Sequence, residues 1–333
     1  MTVNARRTHL KTLLAIAITS VTLGMSTLAS AADPIKLRLS SPSSETDQRA
    51  VALTEKFGPA VADFATFEPH WNASLFKQGT ELEAIARGNL EMSITSAQEL
   101  AEFVPEFSIF SAGYVHRDAE HQKAVFAADF MEPLKQKVEE TLGVKLLSVM
   151  YLGRRQLNLR TENEVKTPAD LEGVKLRMPG SDAWQFLGKA LGANPTPMAF
   201  TEVYTALQTG AVDGQDNPLP TDKDAKFYEV TKQIVLTSHL VDLNYLAISK
   251  KVFDSLSAEQ QAAVQKAADD AAEFGRQNQL KLEGELVDFF KEKGLKVYEP
   301  DLKAFQETVQ KAYLESDFSK TWPEGLLDKI NAL

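Results

Sequence analysis

The chain has 333 residues, carries 46 acidic against 36 basic side chains, and contains no cysteine. Its formal charge of -10 argues against nucleic-acid binding, which depends on neutralising phosphates. The absence of cysteine excludes disulfides and thiolate chemistry, and a chain of this length can bury enough apolar surface to fold without cross-links.

The first 31 residues have the pattern of a secretory signal peptide. A basic segment containing Arg6 and Arg7 precedes an apolar run over residues 13–23, and Ala29-Ser30-Ala31 matches a cleavage site. The apolar run is too short to span a bilayer. We therefore expect residues 1–31 to direct export to a periplasm, through the general secretory route or, given the paired arginines, a twin-arginine route.

Strands and helices alternate through the first half of the chain. Alternating apolar residues predict strands, and apolar residues at helical spacing predict helices. The predicted strands cover residues 35–40, 67–71, 91–96 and 144–151, and the predicted helices cover residues 48–64, 80–87 and 118–142. This order predicts a parallel or mixed sheet with helices on both faces.

The second half begins near Gly153, where a short arginine-rich segment resembles a strand. A capping box that starts at Ser257 begins a long helix, which we expect to reach about residue 291. The other predicted strands cover residues 174–178, 212–215, 233–240, 243–249 and 295–298, and the other main helices cover residues 182–191 and 200–209. The two halves predict two α/β units, with a ligand bound in the crevice between them.

Arg177 is the first candidate for binding an anion. It lies at the end of a predicted strand that Pro179 and Gly180 terminate. A guanidinium held at a strand end suits a bidentate pair with a carboxylate. Because a buried guanidinium is costly unless it is paired, a neighbouring acid of the protein is an equal alternative, and for Arg155 position alone favours that alternative.

The motifs of common enzymes and metal sites are absent from the sequence. It contains no GxGxxG, Walker loop, HExxH or GxSxG motif. His116 and His121 fall on different sides of a predicted helix, whose solvated start explains them better than a metal does. Asp216 and Asn217 are predicted to lie in a turn without calcium-loop spacing. We expect no metal, no cofactor and no catalysis.

The segment NPTPMAFTEVYTALQTGAVDGQDNPLPT at residues 194–221, with KLRMP before it and KFYEV after it, resembles the solute-binding proteins of TRAP transporters, which are tripartite, ATP-independent carriers. The resemblance covers nearly all of the mature chain. It implies an α/β periplasmic solute-binding fold with two lobes, mixed sheets, crossing strands and a long bracing helix. Lobe I would contain residues 32–154 plus 243–282, and lobe II residues 155–242 plus 283–333, closing on the ligand like a hinge.

The resemblance also implies the binding residues. Arg177 would form the main salt bridge to the solute carboxylate, with support from the amide of Asn217. Arg155 would be a second arginine of the cleft, and Phe200 would line its wall.

The chain differs from the sialic-acid binders of this family at Gly180, near Lys77 and Gln78, and close to Ser96, where those proteins carry a glutamate. These differences argue against sialic acid. Contacts to the rest of the solute are instead expected from Lys77, Gln78, Ser96, Gln98 and Trp184.

The expected function is therefore capture of a small carboxylate solute and its delivery to the TRAP membrane permease. A uronate or other sugar acid, a C4-dicarboxylate and a related hydroxy- or keto-acid all fit, and Lys77 and Arg154 would favour a second anionic group if they face the cleft. A periplasmic sensor or an enzyme on the same fold is the alternative, although no motif supplies the base or nucleophile that an enzyme needs. We expect a monomer.

Overall fold

The computed structural model describes residues 35–333, and the expected signal peptide at residues 1–31 lies outside them. The described strands are β1 (Ile35–Ser40), β2 (Ala65–His70), β3 (Met92–Ser96), β4 (Val144–Leu159), β5 (Lys175–Met178), β6 (Asn194–Pro197), β7 (Gly214–Pro218), β8 (Gln233–Ser249) and β9 (Lys296–Tyr298). The described α-helices are α1 (Gln48–Ala52), α2 (Gly58–Val61), α3 (Glu81–Ala86), α4 (Ala97–Ala101), α5 (Ala119–Ala127), α6 (Glu132–Leu142), α7 (Asp182–Ala190), α8 (Val203–Thr209), α9 (Leu219–Asp224), α10 (Lys250–Ser255), α11 (Ala258–Glu292), α12 (Leu302–Leu314) and α13 (Leu326–Asn331).

The strands form one mixed sheet in the order β2-β1-β3-β8-β4-β7-β5-β6, with β9 beside β8. Strand β1 pairs in parallel with β2 and β3, and β5 pairs in parallel with β6 and β7. The long antiparallel pair β4 and β8 joins these two parallel groups. The α/β class predicted from the alternation of elements is therefore confirmed.

Strands β4 and β8 run through both halves of the sheet. The end of β8 near Ser249 pairs with β3, while the end of β4 near Leu159 pairs with β7. The prediction of two separate strands in each of these regions is wrong. Gly153 lies in the middle of β4 with φ +125, at an irregularity of the strand pairing opposite Asp242. The arginine-rich segment that begins near Gly153 therefore marks a distortion within one strand and not the start of another strand.

The helix α11 is 35 residues long and begins at the predicted capping box. The Ser257 hydroxyl accepts a hydrogen bond from the Gln260 backbone (3.2 Å), and the Gln260 side chain accepts one from the Ser257 backbone (2.9 Å). Its buried face is rich in alanine, which allows it to pack closely on the central strands. No helix in residues 35–333 is both long and apolar enough to cross a bilayer.

Two local predictions are wrong. The helix predicted over residues 118–142 is interrupted at Ala128, which has extended backbone angles (φ -74, ψ 146); α6 then starts with a proline in its first turn, where the missing N–H is tolerated. Asp216 and Asn217 lie in the strand β7 and not in a turn, because β7 pairs with both β4 and β5.

His116 and His121 are buried and do not form a solvated helix start. The His116 ring stacks on Phe110, with 6.0 Å between centroids, and His121 Nε2 contacts the Ile330 carbonyl at 2.8 Å. Burial lowers the pKa of His116 to about 3. In the described part of the chain, no group of three or more His, Cys, Asp or Glu residues is placed to hold a metal ion.

Candidate solute-binding cleft

A cavity with about 560 Å³ of empty space, counting its open mouth, lies where the loops after β1 and β2 approach β4, β5 and β7. Seven of the nine site residues predicted from the sequence line it. These are Gln78, Ser96, Arg155, Arg177, Trp184, Phe200 and Asn217. The structure therefore brings together residues that are up to 139 positions apart, from Gln78 to Asn217.

Arg177 extends from β5 and is only 1% exposed. Its Nε and Nη2 donate to the Met198 carbonyl oxygen at 2.9 and 2.7 Å. Within residues 35–333 no carboxylate forms an ion pair with this guanidinium, and its Nη1 has no hydrogen-bond acceptor. Burial, followed by the charge of Arg155, lowers the pKa of Arg177 to about 9, which leaves the group charged at neutral pH. The cavity thus contains a buried cation that is not paired with any carboxylate of the described residues.

Arg155, in contrast, is paired. Its Nε donates to Asp216 Oδ2 at 2.7 Å and its Nη1 donates to Asp242 Oδ2 at 2.8 Å. Its guanidinium carbon lies 4.5 Å from the ring centroid of Trp184, which places the cation against the indole ring. Burial alone would lower the pKa of Arg155, but the two aspartates raise it. Arg155 is therefore both a partner of protein acids, as position alone favoured, and a lining residue of the cavity.

Asp216 is completely buried between two partners. Besides Arg155, it contacts His239 Nε2 at 3.0 Å. Burial alone would raise the pKa of Asp216, but the charge of Arg155 and the hydrogen bond from His239 lower it. The Asp216 carboxylate is thus paired with protein side chains, and these contacts do not support a role in binding calcium.

Gln78 connects the loop after β2 with the region around β5. Its Oε1 accepts from the Phe200 backbone N–H at 2.8 Å and from Arg177 Nη2 at 3.4 Å. A second such contact joins the residue that ends α4 to the start of α7, because Glu102 Oε1 accepts from the Asp182 backbone N–H at 3.0 Å. These bonds hold the two walls of the cleft together near its mouth.

Three residues named from the sequence do not line the cavity. Lys77 is exposed and lines the adjoining entrance together with Gly180. Gln98 is fully buried, and neither of its amide atoms has a partner in the described chain. Arg154 donates to the Arg117 carbonyl at 3.0 Å. It follows directly before Arg155 in β4, and neighbouring strand residues point to opposite faces, so the second anion-binding group expected from Arg154 is absent from the cavity.

Four charged or amide-bearing lining residues were missed from the sequence: Arg49, Glu99, Asp242 and Asn244. Glu99 lies three residues after Ser96, in a capping box whose pattern was visible in the sequence. The prediction that no glutamate lies close to Ser96 is therefore wrong. Arg49 has no comparable signal, because its hydrogen-bond partner Asn244 is 195 positions away.

The cleft, with a buried arginine that has no acid partner in the described part of the chain, has the features of a class of protein that binds small acids. Residues 54–320 match the family described as DctP, bacterial extracellular solute-binding protein family 7. The chain therefore belongs to this family, whose members serve TRAP transporters, as its sequence resemblance implies.

Individual relatives agree with this assignment. The sialic acid-binding periplasmic protein SiaP of Vibrio cholerae is 30% identical over 97% of this chain and 100% of its own. The 2,3-diketo-L-gulonate-binding periplasmic protein YiaO of Escherichia coli is 30% identical over 87% of this chain and 88% of its own. A crystal structure of a TRAP periplasmic solute-binding protein from Roseobacter denitrificans, with bound 3-deoxy-D-manno-oct-2-ulosonic acid (KDO), is 68% identical, with a TM-score of 0.89 over 90% of this chain and 99% of that one.

Proposed function

We propose that the protein captures a sugar acid with a single carboxylate, of the 3-deoxy-2-ulosonic type that KDO represents, and presents it to the TRAP membrane subunits. The observation that carries this proposal is Arg177, a buried cation that forms no ion pair with a carboxylate of residues 35–333. The KDO bound to the relative that is 68% identical supports the choice of solute.

The solute carboxylate would occupy the space in front of Arg177 and accept hydrogen bonds from the guanidinium and from the Asn217 amide. Charge-assisted bonds of this kind are short and strong. A bound carboxylate would also remove the penalty of an unpaired buried charge. We expect Phe200, whose ring centroid lies 5.9 Å from the guanidinium carbon, to cover one side of the pair.

The charges in the cavity favour one carboxylate over two. Arg49 is tied to Asp47 at 2.7 Å, and Arg155 is tied to two aspartates, so within the described lining Arg177 is the cation left for a solute. On the opposite wall, Glu99 Oε2 accepts from the Ser96 backbone at 2.9 Å, while its Oε1 has no donor there. A hydroxyl group is the matching partner for this oxygen, so a sugar acid fits better than a C4-dicarboxylate.

We propose that the lobes inferred from the sequence, residues 32–154 plus 243–282 and residues 155–242 plus 283–333, rotate about the distorted part of β4 and β8. Gly153, with its positive φ, lies opposite Asp242 at this boundary. The bonds made by Gln78 and Glu102 between the walls would form on closure.

We further propose that the chain is exported by residues 1–31 and acts as a monomer. We also propose that it catalyses no reaction, because Asp216 and Asp242 are held by Arg155 and are not free to act as bases.

The purified protein should melt at a higher temperature with KDO and show no shift with neutral galactose. A ligand at 1,000 times its dissociation constant stabilises a protein by about 4 kcal/mol, which corresponds to roughly 6 °C for a chain of this size. Differential scanning fluorimetry over KDO, galactonate, galacturonate, malate and succinate would measure this. No shift with any of the sugar acids would contradict the proposed function.

Glu99→Ala should weaken KDO binding about 10- to 100-fold, because it removes a hydrogen-bond acceptor from the cleft. Glu99→Gln should improve the affinity for a dicarboxylate such as galactarate relative to galactonate, because the amide adds a hydrogen-bond donor for the second carboxylate. Isothermal titration calorimetry measures both effects. Glu83→Gln, which removes an exposed charge at the adjoining entrance, is the matched control. If Glu99→Ala binds KDO as tightly as Glu83→Gln does, Glu99 does not contact the solute.

A further inference from the structure

We infer that Gln215 is a positioning residue for the solute carboxylate, because a buried series of hydrogen bonds passes through it to Asn217, and the donor and acceptor of each bond are fixed. The series begins at a backbone carbonyl, which can accept a hydrogen bond but cannot donate one. The inference rests on the proposed function, in which the Asn217 amide contacts the carboxylate. The inference concerns residues that do not contact the solute. They determine whether the nitrogen or the oxygen of the Asn217 amide faces the solute.

The polarity is set at Gln233, whose backbone carbonyl can only accept. Asn158 Nδ2 donates to this carbonyl at 3.2 Å and to Thr231 Oγ1 at 2.8 Å. Both hydrogens of the Asn158 amide nitrogen are therefore in use, and its Oδ1 must face the other way, where Gln215 Nε2 lies at 3.3 Å. Gln215 consequently has to present its nitrogen on this side.

Asp222 reinforces the orientation of Gln215. Its Oδ1 accepts the second hydrogen of Gln215 Nε2 at 2.7 Å, so the Gln215 amide nitrogen lies between two acceptors. Gln215 and Asp222 are completely buried, and no water-exposed alternative is available to either. Burial also raises the pKa of Asp222 well above its usual range.

The Gln215 carbonyl oxygen is left to face Asn217. It accepts from Asn217 Nδ2 at 2.5 Å. A flipped Asn217 would place its own carbonyl oxygen against that of Gln215, two acceptors with no proton between them. Asn217 is thereby held with its nitrogen on this side, and one N–H remains for the solute in the cavity that Asn217 lines. Without this restraint the amide could rotate and turn its oxygen toward the carboxylate.

A double-mutant cycle on KDO affinity, measured by calorimetry, tests the inference. Gln215→Met keeps the length of the side chain and removes the polarity, and it should weaken binding about 10-fold, as expected for a misdirected hydrogen bond to a charged group. In an Asn217→Ala background the same change should weaken binding less than twofold, because the amide that it orients is gone. Equal losses in both backgrounds, or wild-type affinity of Gln215→Met, would overturn the inference.

A second pair of variants covers the case in which Gln215→Met does not fold. Asp222→Asn retains an acceptor facing Gln215 and should bind KDO within twofold of the wild type, whereas Asp222→Leu should bind several-fold more weakly. Equal affinities of these two variants would contradict the role of Asp222. If the wild-type protein binds no sugar acid, the proposed function itself fails; if it binds KDO and the cycle is additive, only the positioning role fails.

Discussion

Arg177→Ala is expected to lower the affinity for every carboxylate solute strongly, while the unliganded protein remains at least as stable as the wild type. Removing one member of a desolvated charge pair costs about 2–5 kcal/mol of binding free energy. In the unliganded protein, however, the guanidinium is buried and has no acid partner in the described chain, so its removal relieves an unfavourable desolvation. A variant that loses binding and gains melting temperature would be the signature of a cation kept for the solute.

Calorimetry with KDO and urea unfolding without ligand measure the two halves of this prediction. Arg177→Lys should also bind more weakly, because the bidentate fork is lost although the charge remains. Arg87→Ala is the matched control, since Arg87 forms an exposed salt bridge with Glu83 on α3 and such pairs contribute little. Retention of KDO affinity by Arg177→Ala would show that the carboxylate binds elsewhere.

Arg155→Ala is expected to have the opposite effect on stability. Without the guanidinium, Asp216 and Asp242 become buried acids that lack their cation, and breaking a buried pair in this way costs about 3–5 kcal/mol. Urea unfolding at pH 7 should show this loss in the free energy of unfolding. A variant as stable as Arg87→Ala would indicate that water replaces the guanidinium, and the two aspartates would then not depend on Arg155.

The pH dependence of the same variant can be derived from Asp216. The pKa of Asp216 is lowered in the folded protein, by Arg155 first among its partners. Such a group stabilises the fold above its unfolded pKa, about 3.9 for aspartate, and this stabilisation is lost as the pH falls through the folded value. Without Arg155, burial would raise the pKa of Asp216 in the folded variant, so the difference in unfolding free energy between the wild type and Arg155→Ala should narrow as the pH falls from the folded pKa of the variant toward that of the wild type.

Periodicity predicted the elements whose burial is regular. The strand β1 has the predicted bounds, and α11 begins at the predicted capping box. Periodicity failed for β4 and β8, which are continuous although polar residues such as Arg155 and Asp242 interrupt their apolar pattern. These residues interrupt the pattern because they line the cavity, so the strands were hardest to recognise where they carry the site.

The site itself could be predicted where one short segment contains the signal. Arg177, Asn217 and Phe200 were named from the family resemblance of the KLRMP segment and of residues 194–221. Arg49 could not be found in this way, because its partner Asn244 is close only in the folded chain. Consecutive residues pose a second difficulty: periodicity does not indicate which of Arg154 and Arg155 faces the cavity. The family resemblance named Arg155, and the structure places Arg155 in the cavity lining.

The two long strands bear on how this protein could acquire a new solute in evolution. Arg155 and Asp242 belong to β4 and β8, which join the two halves of the sheet, so a substitution there alters the skeleton as well as the pocket. Gln78 lies on a loop, and Glu99 lies on the short helix α4. Changes at these two positions can reshape the pocket while the shared strands stay intact. Diversification of substrate choice is therefore easiest at Gln78 and Glu99, whereas the requirement for an acid would depend on Arg177 in strand β5.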